Sequence, residues 1–153
     1  MRFANPRVSG NIPFPMEASL TAPRVAQKSW TLWAGWILSA LVSLLMLFSA
    51  FMKFRQPPEV VKGFADMGVR PGMIGVIGIM ELASVVLYLM RPTAVLGAVL
   101  VAGYLGGAVF AHISAQQLDR APAPFIVGVI AWLGLYLREP RVRALFPLTR
   151  TRV

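Results

Sequence analysis

The stretch PGMIGVIGIMELASVVLYLM, Pro71 to Met90, decides the fold. It is long enough to cross a bilayer, which takes about 20 mostly apolar residues at a rise of 1.5 Å each. Its one ionisable side chain is Glu81, near the middle. A carboxylate at that depth is too short to snorkel and too costly to leave facing lipid, so Glu81 is expected to face protein.

Three similar segments surround this one. The first runs from about Trp30 to Phe54, with Trp30, Trp33 and Trp36 at its start, where amphipathic rings favour the headgroup region. The third runs from about 93 to 113 and the fourth from about 123 to 137. The fold class expected is therefore all-α, an integral membrane four-helix bundle. Between the first two spans, Pro57 and Pro58 stop the helix, and VVKGFADMG has the pattern of a short amphipathic turn on the membrane surface.

Composition points the same way. The chain is 57% hydrophobic and 14% charged over 153 residues, against about a quarter charged in soluble domains. Its net charge of +9 comes from residues at segment ends and tails, which argues for topology signals and anionic lipid rather than nucleic acid. With both termini on one side, that side holds ten Lys and Arg against five opposite, Lys53, Arg55, Lys62, Arg70 and Arg120. The positive-inside rule then gives an N-in/C-in, multi-pass protein of the bacterial inner (cytoplasmic) membrane.

Residues 1 to 29 are expected to form a disordered basic tail, with four prolines and no sustained apolar period. Met16 would serve equally well as a start, so residues 1 to 15 read as an over-called beginning. Residues 138 to 153 read as a basic cytoplasmic tail.

The candidate site follows from helical rise. Lys53 closes the first span, and its side chain reaches about 6 Å toward the depth of Glu81. His112 approaches from the third span. Lys53, Glu81 and His112, with Ser49 and Ser84 on the same faces, form a candidate ligand-binding cluster. The rival readings are a snorkelling Lys53, an interfacial His112 and a structural Glu81.

Gly103, Gly107 and Ala111 make a small-residue stripe, and Gly78 leaves space beside Glu81. The stripe and His112 lie on opposite faces of their helix, so His112 is placed inward and the stripe against another helix or a second copy, a homodimer.

Several chemistries are excluded. The chain has no cysteine and one histidine, which removes thiol chemistry, Fe–S ligation and a two-histidine haem. It carries no phosphate loop, no dinucleotide fingerprint and no HExxH pair. No catalytic residue and no metal site is expected.

The order of SAFMKF with Lys53, MGVRPGMIG, GIMELASVV, GGAVFAHI with His112 and the closing LYLREPRVRALFPL resembles the DoxX-like family of small four-span bacterial membrane proteins. Ser49 and Ala50 stand where relatives often carry a glycine. The resemblance covers about Trp30 to Leu148. Some relatives are similar to the small membrane subunit of thiosulfate:quinone oxidoreductase, and others associate with membrane oxidoreductases. It implies a non-catalytic anchor or subunit of a redox-linked membrane system, with a membrane or peripheral oxidoreductase as partner. The alternatives are a quinone or small-molecule binding protein using Glu81, Lys53 and His112, and a small proton-coupled permease.

Overall fold

A computed structural model describes residues 29–145. The expected N-terminal tail up to residue 28, the alternative start at Met16 and the tail beyond residue 145 lie outside them. The described residues are helical, without strands. They form α1 (Ser29–Arg55), α2 (Pro58–Asp66), α3 (Pro71–Leu89), α4 (Ala94–Ser114), α5 (Pro122–Arg138) and α6 (Pro140–Leu145), with a 3₁₀ turn at Arg91–Thr93. Proline opens α2, α3, α5 and α6, where its missing N–H would have had no intrahelical partner.

Three helical segments are long and apolar enough to cross a membrane: Ser29–Arg55, Pro71–Leu89 and Arg91–Ser114. The fourth, Pro122–Arg138, is apolar but shorter at 17 residues. Helix α1 packs on α3 and α5, and α4 closes against the same two. The surface expected to be a short turn after Pro58 is a two-turn helix, α2, which buries none of its residues.

The buried core runs through Val42, Met46, Val85, Ala98, Val101, Ala131 and Leu135. Large apolar side chains such as Leu44, Phe48, Ile79, Phe110 and Phe125 point outward instead. That inverted pattern suits lipid as the surrounding medium. Apolar burial cannot drive helix pairing there, so close backbone packing and internal polar bonds must.

The close packing sits elsewhere than the stripe on α4. A Cβ on Gly103 or Gly107 would meet nothing within 4 Å, and both glycines are exposed. A Cβ on Gly97, in contrast, would run into the backbone of Leu87 and Tyr88, and one on Gly35 would stand only 2.7 Å from the Arg138 backbone N. These two glycines let α4 approach α3 and α1 approach α5.

Arg138 is not part of a solvated tail. It ends α5 and is buried, its Nη2 donating to the Tyr88 carbonyl and its guanidinium lying 4.6 Å from the Trp36 ring and 4.5 Å from the Tyr88 ring. The cause is the C-terminus of α3, whose last carbonyls lack intrahelical partners and attract a cation. Thr93 Oγ1 satisfies a second of them, at Leu87, over 2.9 Å. The Tyr88 hydroxyl completes this polar clamp, donating to the Ala131 carbonyl at 2.7 Å and lying 3.0 Å from Ser39 Oγ.

Candidate functional site

The polar face of α1 is set by helical spacing. Ser39, Val42, Met46 and Lys53 recur on one side and are all buried. On α3 the corresponding face is Ile74, Gly78, Glu81, Ser84, Val85 and Tyr88. Gly78 brings the two helices together, because a Cβ there would already touch Lys53 Cβ at 3.3 Å. The result is a direct ion pair, with Lys53 Nζ 2.9 Å from Glu81 Oε2.

Ser49, one turn before Lys53, supplies its second acceptor: Nζ lies 2.5 Å from Ser49 Oγ. Two aromatic rings flank the ammonium, Phe64 from α2 and Tyr104 from α4, each with its centroid 5.8 Å away. Four helices therefore contribute to the surroundings of one lysine.

Two of the expected members stand apart. Ser84 is buried, but its hydroxyl donates back to the Met80 carbonyl at 2.7 Å on its own helix. His112 lies eight residues beyond Tyr104 on α4, about 12 Å along the axis. Its Nδ1 is 3.0 Å from Gln117 Oε1, and its carbonyl accepts from the Gln117 N–H at 2.8 Å. It closes the end of α4, which is the interfacial reading of this residue.

A cavity of about 200 Å³ opens beside the lysine, lined by Ser49, Met52, Lys53, Val60, Gly63, Phe64 and Met67. It lies between α1 and α2. A larger groove of about 430 Å³ runs between α4 and α5, but its walls are glycine, proline and apolar side chains such as Leu105, Phe125 and Trp132. Its one lining side chain with a polar atom is Trp132, whose indole N–H stands without a charged group or a side-chain acceptor beside it, and specific sites combine apolar walls with a few placed polar groups. The smaller cavity meets that description.

Its chemistry is constrained by charge. An ammonium has three donors, and here two point at Ser49 Oγ and Glu81 Oε2. The Ser49 carbonyl is a weak third acceptor at 3.5 Å, so a better oxygen in the cavity could take that donor. Lys53 and Glu81 together are neutral, and a third charge in a poorly screened site would go unpaired. A neutral oxygen acceptor fits best.

A model of the DoxX-like family matches residues 37–134. The chain belongs to the DoxX-like family. That match covers α1 from its third turn through most of α5, and so includes Ser49, Lys53, Phe64, Glu81 and Tyr104. Neither the curated proteins nor the solved structures contain a match to this DoxX-like chain. Family membership and the three span-length helices mark it as a membrane protein.

Sequence reasoning overlooked Tyr104 and Phe64. Tyr104 carried a signal, a phenol in the middle of an apolar span, where its hydroxyl needs a partner. Phe64 carried none, since its place over Lys53 depends on how α2 folds back.

Proposed function

We propose that this DoxX-like chain is a small-molecule binding protein that holds the oxygen of a neutral, membrane-soluble ligand at Lys53, with Glu81 as the fixed counter-ion. The supporting observation is that Lys53 is paired with Glu81 and also borders the cavity beneath α2. Quinones are the ligand class that suits this site, since they offer carbonyl oxygens on an apolar ring. The cavity is smaller than the 300–1,000 Å³ typical of whole small-molecule sites, so it suits a head group whose tail remains in lipid.

In this reading the protein is a four-helix bundle of the bacterial inner membrane with both termini cytoplasmic, as the ten-to-five division of Lys and Arg supports. The cavity then faces the outer leaflet. The chain serves a redox-linked membrane system as its ligand-holding, non-catalytic subunit, with an oxidoreductase as the partner.

The test is titration of a short-chain benzoquinone into nanodisc-embedded wild type, Lys53→Met and Glu81→Gln, with empty nanodiscs as control. Losing a charge-assisted hydrogen bond should weaken binding at least about tenfold in Lys53→Met. Equal binding by all three proteins would refute the site. A proton-coupled permease would instead show uptake of a weak acid into vesicles that Glu81→Gln abolishes.

A further inference from the structure

Helix α2 differs from every other wall of the cavity. It buries none of its residues, and both of its flanks are in left-handed backbone: Gln56 at φ 46 and Gly68 at φ 75. Gln56 is an uncommon residue for that conformation, which disfavours side chains with a Cβ. Segments with little burial open at the low end of a protein's stability range. The helix is amphipathic, with Val60, Val61 and Phe64 on one face and Glu59, Lys62 and Asp66 on the other. From that apolar face, Val60 and Phe64 line the cavity, and the Phe64 ring stands 5.8 Å from Lys53 Nζ.

We infer that α2 is a hinged lid, pivoting at Gln56 and Gly68, whose Phe64 closes on a flat conjugated ring bearing a carbonyl oxygen that accepts a hydrogen bond from Lys53. This rests on the binding reading above and adds its selectivity and access route. The ring stacks on Phe64, while a saturated ketone of similar size offers the oxygen without the flat face. The ligand enters from the membrane surface on the α2 side, since the cavity that borders the lysine lies between α1 and α2 while α3 and α4 close its other sides.

The test uses the full chain in nanodiscs, where the absence of native cysteine allows a single environment-sensitive dye on Lys62→Cys, a solvent-exposed position of α2. The probes are a short-chain benzoquinone and a saturated cyclic ketone. Phe64→Ala should weaken the quinone about three- to tenfold, as loss of an aromatic pair does, and Phe64→Trp should restore it. The ketone should be indifferent to both changes. The dye should respond to the quinone in the Phe64 background and not in Lys53→Met. Quinone binding that is unchanged by Phe64→Ala, with a silent dye, would overturn the lid and leave the Lys53 site standing. No quinone binding to the wild type, with a silent dye, would overturn both.

Discussion

Lys53 Nζ and Glu81 Oε2 stand 2.9 Å apart, with side-chain exposures of 8% and 2%. A buried pair of this kind is not in itself a strong source of stability, because desolvation offsets much of the attraction. Breaking it from one side is another matter. Lys53→Met leaves an unpaired carboxylate, and Glu81→Leu an unpaired ammonium, each expected to cost about 3–5 kcal/mol. The double variant should recover most of that loss. Unfolding of the four proteins in detergent checks the prediction, and additive losses would show that the two residues do not depend on each other.

The clamp around Arg138 should be the second stability determinant. Arg138→Lys keeps the charge but loses the planar group that lies on Trp36 and Tyr88 while bonding the Tyr88 carbonyl. It should be destabilised nearly as much as Arg138→Gln. Tyr88→Phe removes the hydroxyl that bonds the Ala131 carbonyl and should cost about 1–3 kcal/mol. Thermal unfolding midpoints of the purified variants measure both.

Two classes of glycine on α4 should separate cleanly. Gly97→Ala would drive a methyl group into the backbone of Tyr88 and Leu87 and should prevent normal folding or cost more than about 3 kcal/mol. Gly103→Ala and Gly107→Ala meet open space and should leave the monomer's stability unchanged or raise it by up to about 1 kcal/mol through helix propensity. If the stripe pairs two copies, Gly103→Leu combined with Gly107→Leu should shift the protein from dimer to monomer in cross-linking. An unchanged ratio would remove the stripe from any self-association surface.

Orientation is testable with the same cysteine-free chain. A membrane-impermeant thiol reagent added to intact spheroplasts should label Lys62→Cys on α2 and spare Arg91→Cys in the turn before α4, until the membrane is opened. The reverse pattern would invert the topology argued from the basic residues.

Much of this was legible in the residues alone. That the chain is helical, with three helices long and apolar enough to cross a membrane among the described residues, was legible because long apolar runs, and proline at the start of α3, mark them. Glu81 and Lys53 were legible because ionisable groups in apolar spans must find partners, and helical rise sets their depths. Ser49 followed from its position one turn before Lys53. His112 was drawn inward by the same argument, but Gln117 satisfies it locally, a contact made only once the chain turns after α4. Arg138 was hidden by its basic neighbours, since its partner carbonyl belongs to a helix 50 residues earlier. The importance of Gly97 over Gly103 depended on which face of α4 meets α3, which an apolar helix without a polar side does not encode.

The central claim is that Lys53 and Glu81 hold a small neutral ligand, and native mass spectrometry of the untagged protein released from its own membranes tests it most directly. Wild type should retain a non-lipid molecule of quinone class, and a folded Glu81→Gln protein should lose it. Phospholipid alone on both proteins, or a bound molecule that Glu81→Gln retains in full, would contradict the account.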